Sequence, residues 1–255
     1  METVSSELLE LLTALQSLES LNSFALAGGT NLSIRYNHRE SIDIDLFSNE
    51  AAGINGLQQI EKQLHDKFKE DVLFLNIEDP GYGEQYCFIK SLIRKGSLRI
   101  KVEILQNIQL LHPIEIVNNV KLIAVADIGM MKLESLSSRR AQKDVYDLDI
   151  ITDEIPLPDL IAQLKIKKDK FHEEHHKSLF DLDSGSNPID NPLRLLEFDK
   201  INYQELEKRP SHSNDILRIN EGKKSWTLAR THWRRKVYRF CKDNNIETPG
   251  VKPIN

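Results

Sequence analysis

Cysteine is scarce in this 255-residue sequence: only Cys87 and Cys241 occur, too few for a disulfide framework, so a reduced compartment is expected. No apolar run approaches the ~20 residues that cross a bilayer. The opening "METVSSELLELL" lacks the basic start and small-residue cleavage site of a secretory leader. A cytoplasmic protein without membrane contact is the reading. A large excess of one charge is also missing, since 34 Lys and Arg face 39 Asp and Glu, a net charge of −5. That balance excludes neither nucleic acid nor small anions, because local patches decide such binding. Internal repeats and low-complexity segments are absent. What is present, 40% hydrophobic and 29% charged residues, suits a globular chain with a real core.

Hydrophobic periodicity divides the chain. Val4, Leu8, Leu11, Leu12, Leu15 and Leu18 repeat with helical period, so an amphipathic helix opens it. "SFALA" (23–27) reads as a short buried strand ending at Gly28-Gly29, with a short helix after it. "SIDIDLF" (41–47) alternates strictly, with Ile42, Ile44 and Leu46 on one face and Asp43, Asp45 and Phe47 on the other. Leu57, Ile60, Leu64 and Phe68 mark a helix, and "VLFLNI" (72–77) a strand. "YCFIKSLIR" and "SLRIKVEIL" read as a hairpin turning at Lys95-Gly96. A single long helix is expected from about Ala126 to Ile150. The first ~150 residues are therefore mixed α and β, and an α+β class follows. After Thr152 the strand signal fades. A proline-entered helix at "IPLPDLIAQLKIKKDKF", a turn-rich loop at 181–192, further helix and a loose tail at "NNIETPGVKPIN" are expected.

Two carboxylates at i and i+2 of a strand point to one side, so Asp43 and Asp45 present together. Like charges that close call for a cation, and Mg²⁺ prefers one or two carboxylates plus substrate phosphates. Gly28-Gly29 sits at a strand-to-helix turn, where absent Cβ atoms let backbone N–H groups approach a phosphate and the helix N-terminus favours the charge. Thr30 adds a hydroxyl. Thirteen residues separate Gly29 from Asp43, enough for a short helix and a return strand. In "RIKVEIL", Arg99, Lys101 and Glu103 share a face. Glu103 either completes a three-acid cluster able to hold two metal ions or pairs with Lys101 or Arg99 on an exposed face. On the expected long helix, Lys132, Arg139, Lys143 and Asp147 fall within about 80° of arc, while Asp144 lies at the apolar edge and needs a buried partner.

The first of these patterns resembles the DNA polymerase β-like nucleotidyltransferases. More narrowly, "GGTNLSIRYNHRESIDIDLF" with "KLESLSSRRAQKDVYDL" resembles the AbiEii/AbiGii toxin family, which shows a GGT turn, an HRxSxDxDxF stretch and a K-x6-R-x3-KD-x2-DL helix. These motifs fall on Gly28, Gly29 and Thr30; on His38, Arg39, Ser41, Asp43, Asp45 and Phe47; and on Lys132, Arg139, Lys143, Asp144, Asp147 and Leu148. The resemblance covers residues ~24–150 and departs at two places: relatives commonly carry Asp at the Glu103 position and glycine at Arg140. It implies a polymerase β-like nucleotidyltransferase domain over residues 1–150, followed by a mainly helical region over 151–255. It implies transfer of a nucleotide from an NTP onto an acceptor, the 3′ end of tRNA in studied relatives, in a toxin–antitoxin or phage-defence system with a cognate antitoxin. Asp43, Asp45 and Glu103 would hold two Mg²⁺ ions and carry catalysis. Gly28, Gly29, Thr30, Ser41, Lys132, Arg139, Lys143 and Asp144 would contact the nucleotide. The same core serves many acceptors, so a small-molecule or protein acceptor, or a non-catalytic nucleotide- or partner-binding module, stays an alternative.

Two other signals compete. "HEEHH" (172–176) matches the zinc-peptidase pattern, but its charged surroundings read as a solvated helix. The segment 222–242 holds eight Lys or Arg and no acid, with Trp226, Trp233, Tyr238 and Phe240 between them. It reads either as an RNA or antitoxin contact or as a solvated face.

Overall fold

The computed structural model describes residues 4–182, 187–200 and 217–248. The turn-rich loop expected at 181–192 and the tail at 244–255 therefore lie partly outside the described residues. Two compact units form. Unit 1 comprises Met1–Ile128, Lys167–Ser184 and Asn220–Lys223; unit 2 comprises Gly129–Ile166, Gly185–Ile219 and Lys224–Asn255.

Unit 1 is built on one seven-stranded sheet. The strands are β1 (Ala25–Leu26), β2 (Ile44–Phe47), β3 (Val72–Glu78), β4 (Phe88–Lys95), β5 (Leu98–Leu105), β6 (Glu115–Val117) and β7 (Val120–Leu122), in the spatial order β3-β4-β5-β2-β1-β7-β6. β2 runs parallel to β5 and β1 parallel to β7, while the remaining neighbours are antiparallel. Helices α1 (Ser6–Gln16), α2 (Gly28–Tyr36) and α3 (Gly53–Phe68) complete it. The leucine stripe of α1 is buried as its period requires: Leu8, Leu11, Leu12 and Leu15 join Leu57, Ile60 and Leu64 of α3 and the inward residues of β2, β4 and β5 in one core. Ser5 caps α1 by accepting from the Leu8 amide. Gln16 fixes α1 to β7, donating to the Lys121 carbonyl at 2.8 Å and accepting from its amide at 2.9 Å.

The alternation read in β4 and β5 holds. Ile89, Ile93, Ile100, Val102 and Ile104 face the core, so Lys90, Arg99, Lys101 and Glu103 occupy the other face. The hairpin between them turns at Gly96, with φ 58°. The β6–β7 hairpin had no expected counterpart. Its turn is Asn118-Asn119, both in the left-handed region, and the Val-Asn-Asn-Val stretch carries the signal for such a turn.

The long helix expected over 126–150 is instead two. α4 (Val125–Arg139) ends at Arg140, which adopts φ 59°, and α5 (Gln142–Glu154) starts after Ala141. A left-handed residue reverses the chain and ends the helical hydrogen-bond series, a conformation glycine adopts without strain. Unit 2 also holds the α7 helix (Trp226–Asp243), preceded in the chain by α6 (Leu157–Lys170), which begins in unit 2 and ends in unit 1. Ser225 caps α7 by accepting from the Leu228 amide. The "HEEHH" stretch is not helical as expected; Glu174–His176 form a 3₁₀ turn, so His172 and His176 do not share a helix face.

Candidate active site

The strand-to-helix turn of unit 1 shows why two glycines precede two aspartates. Gly28 has φ 65°, and a Cβ built on it would overlap Oδ2 of Asp45. A Cβ on Gly29 would overlap Nη2 of Arg39 and crowd Oγ of Ser41. Thr30 Oγ1 hydrogen-bonds with Ser41 Oγ at 2.8 Å and with the Asp43 carbonyl. Ser33 donates to the Arg39 carbonyl at 2.9 Å, and the Ala27 amide donates to the Asp45 carbonyl at 2.7 Å. The GGT turn and the HRxSxDxDxF stretch thus mesh residue against residue. Ala27, the residue before α2, provides no side-chain cap, so the helix presents its first backbone N–H groups beside the Asp45 carboxylate.

Across the sheet, Asp45 is in register with Glu103 of β5, and Glu103 with Lys90 of β4. Paired residues point to one side, which places Asp45 and Glu103 on the face opposite the core. Glu103 bonds Lys101 at 2.9 Å. Burial acts to lower the Lys101 pKa, but the hydrogen bond it donates to Glu103 and the charges of Glu103, Asp45 and Asp43 outweigh it and raise the value above that of an ordinary lysine. Among the described residues no group of three or more His, Cys, Asp or Glu is placed to hold a metal ion. Glu103 takes Lys101 as its partner, one of the two arrangements its spacing allowed. Lys101 itself was not among the site residues expected from sequence, although its i−2 spacing from Glu103 puts it on the same face.

Unit 2 holds the second motif. Asp144 is fully buried and takes Lys132 Nζ at 2.7 Å on Oδ1, with Arg139 Nε at 2.7 Å and Nη2 at 2.8 Å on Oδ2 and Oδ1. Lys132 also meets the buried Asp147 at 2.8 Å. Burial pushes the Asp144 pKa up, but Arg139 and Lys132 override it and hold the carboxyl at about 2. Asp144 therefore has two cationic partners, of which Lys132 is the buried one. The shared arc computed on one straight helix does not describe these side chains, because the Arg140 reversal lies between them. Lys132 is nearly enclosed, at 9% side-chain exposure, whereas Arg139 keeps 38%.

The basic segment is less uncompensated than its composition suggests. Lys236 pairs with Asp149 at 2.9 Å and Asp153 at 2.6 Å, and Lys224 with the same two carboxylates. The aromatic Trp233 is buried and donates its indole N–H to the Leu195 carbonyl at 2.9 Å, so it packs inward. Arg235, Arg239 and Lys242, spaced i, i+4 and i+7, form an exposed stripe.

A family model described as "Nucleotidyl transferase AbiEii toxin, Type IV TA system" matches residues 10–232. The chain belongs to this family. It is an AbiEii-family nucleotidyltransferase toxin of a type IV toxin–antitoxin system, which implies a nucleotide substrate and an antitoxin partner. No curated protein matches the sequence. A crystal structure from H. pylori, described as that of a nucleotidyltransferase, superposes with a TM-score of 0.50 at 14% identity, over 94% of this chain and 95% of that one. It shows a common fold. JHP933 from Helicobacter pylori gives a TM-score of 0.46 at 12% identity, over 93% of this chain and 92% of its own. MenT4, a nucleotidyltransferase toxin from Mycobacterium tuberculosis, gives 0.37 at 14%, over 92% and 93%. Among the described residues no helix of this AbiEii-family chain is long and apolar enough to cross a membrane. The family match extends to residue 232, so it takes in most of the segment beyond the two motifs that carry the resemblance.

Proposed function

We propose that the protein transfers a nucleotide from an NTP to the 3′ end of an RNA acceptor of the tRNA class, at the face carrying Asp43 and Asp45. The observation that supports this is the packing of the Asp45 carboxylate against Gly28 at the uncapped start of α2. Carboxylate and helix N-terminus together form a cradle for a metal–phosphate pair. Two hard oxygen donors suit Mg²⁺, which binds through one or two carboxylates and substrate phosphates. The chemistry Mg²⁺ supplies when bound is neutralisation of charge on the triphosphate and on the leaving oxygen. Asp43 and Asp45 would hold it. A second ion needs Glu103 as donor, which requires Lys101 to exchange its carboxylate for a phosphate oxygen.

The amides of Gly28, Gly29 and Thr30 orient the triphosphate, and the Ser41 and Thr30 hydroxyls set the turn. Alternatively to holding a second ion, Glu103 released from Lys101 would accept the proton of the attacking hydroxyl. In unit 2, Lys132 and Asp144 fix the α4–α5 reversal, leaving phosphate contact to the more exposed Arg139 and Lys143. The test is incubation of the purified protein with total RNA, each labelled NTP in turn and Mg²⁺. Label should appear on small RNA and vanish in EDTA and in Asp43→Ala. Label on polypeptide, or on no macromolecule, overturns the acceptor.

A further inference from the structure

The face carrying Asp45 does not end at Glu103. It continues across β4 to the sheet edge at β3, and its residues follow from the register. One row reads Asp45, Glu103, Lys90, Asn76; the next along β5, β4 and β3 reads Lys101, Leu92, Phe74; the third pairs Arg99 with Arg94. The opposite face is filled by the core under α1 and α3. This one keeps Phe74 51% exposed, with Arg99 exposed and Lys90 half-buried beside the Phe88 ring, 5.2 Å from its centroid. Arg94 is occupied by Asp71 at 2.9 Å. At a strand spacing of ~4.8 Å and ~3.4 Å per residue, Lys90 lies ~10 Å from Asp45, Arg99 ~14 Å and Phe74 ~16 Å.

We infer that this open face of β5, β4 and β3 is the track for the single-stranded 3′ end of the acceptor RNA, with Lys90, Lys101 and Arg99 on its phosphates and Phe74 stacked on a base. The inference rests on the site proposed at Asp43 and Asp45 and names the surface that feeds it. Exposed aromatics among cations on a sheet are what sequence-tolerant single-strand binding uses. The charge gradient also sets the polarity. The acidic end at Asp43 and Asp45 repels a phosphate but accepts a terminal ribose, whose 3′-hydroxyl carries none. The strand must therefore lie with its 3′ end at Asp45 and its upstream phosphates over Lys90 and Arg99. An acidic protein segment would also satisfy the cations; RNA is the occupant favoured because the face runs without a break from Asp45 to Phe74, as an acceptor strand that ends at the proposed site requires.

The experiment measures binding of a short 5′-fluorescein single-stranded RNA to the full chain by anisotropy, in EDTA and without NTP, over a salt series. Three phosphate contacts give a log–log slope of about −2, and Lys90→Gln with Arg99→Gln should flatten it to about −0.7. Phe74→Ala should weaken binding about tenfold, and Phe74→Tyr should restore it. MgNTP affinity, read by calorimetry, should be unchanged in all of these. Asp45→Asn should abolish transfer while RNA affinity holds. If Asp45→Asn still transfers nucleotide, the proposed metal site falls, whatever the RNA data show. If RNA affinity and slope are unchanged in the double variant and in Phe74→Ala, the track is overturned. It is equally overturned if poly-glutamate competes as well as RNA and Phe74→Ala has no effect, which makes the face a protein or bulk-anion surface.

Discussion

Acid should dismantle unit 2 through one carboxylate. Asp144 has an ordinary pKa of 3.8 when unfolded and about 2 when folded, because Arg139 and Lys132 outweigh the cost of its burial. A depressed folded value means the unfolded chain binds the proton first. The stabilisation is complete above pH ~4 and is lost as pH falls through ~2. At 1.36 kcal/mol per unit the shift corresponds to roughly 2 kcal/mol, with no discount for solvent since the group is fully buried. Asp144→Asn at neutral pH should cost more, about 3–5 kcal/mol, because it strips one charge from a buried cluster and leaves Lys132 with Asp147 alone. The assay is urea unfolding followed by tryptophan fluorescence. Both tryptophans, Trp226 and Trp233, lie in α7 of unit 2, so the signal reports that unit. The gap between wild type and Asp144→Asn should narrow by about 2 kcal/mol between pH 5 and pH 2. A gap that stays constant over that range refutes the assignment of the acid sensitivity to Asp144.

Gly28→Ala should cost about 1–3 kcal/mol and abolish transfer, since it combines a left-handed φ with a Cβ driven into the Asp45 carboxylate; thermal melting with a transfer assay reads both. Arg139→Ala should weaken NTP binding by about 1.5–3 kcal/mol, the scale of a charged hydrogen bond, and unchanged affinity by calorimetry removes it from the nucleotide. Lys236→Met should destabilise unit 2 by about 1–3 kcal/mol because the buried Asp149 keeps only Lys224 among these lysines, while Arg235→Gln, with its exposed side chain, should stay within about 0.5 kcal/mol in the same urea titration.

Local pattern made much of the molecule legible. Helical period marked α1 and α3, alternation marked β4 and β5, and glycine marked the β4–β5 turn, because each depends on residues within a few positions of one another. The alternation expected over 41–47 holds only in part: β2 starts at Ile44, which leaves Ile42 exposed and Asp43 ahead of the strand, and Phe47 is buried. The β6–β7 hairpin escaped because its strands are three residues each, too short for a period. The α4–α5 reversal escaped because arginine seldom adopts a positive φ, so nothing in the residue type announced the break. On the candidate site, the Gly-Gly turn and the Asp-x-Asp strand were readable as two motifs. That Gly28 abuts Asp45, and Gly29 abuts Arg39, is a fact of how the chain returns.

The sequence by itself determined most of the elements, the family and the Asp-x-Asp pattern, since these follow from spacing along the chain. Only the tertiary structure decided that β2 lies beside β5, which puts Glu103 next to Asp45. It likewise decided that Asp144 and Asp149 neutralise cations a composition count leaves open. The physical reason is range. Periodicity is set by neighbours one turn or one pleat away, whereas a charge takes the partner that folding brings within ~3 Å, from any distance in sequence.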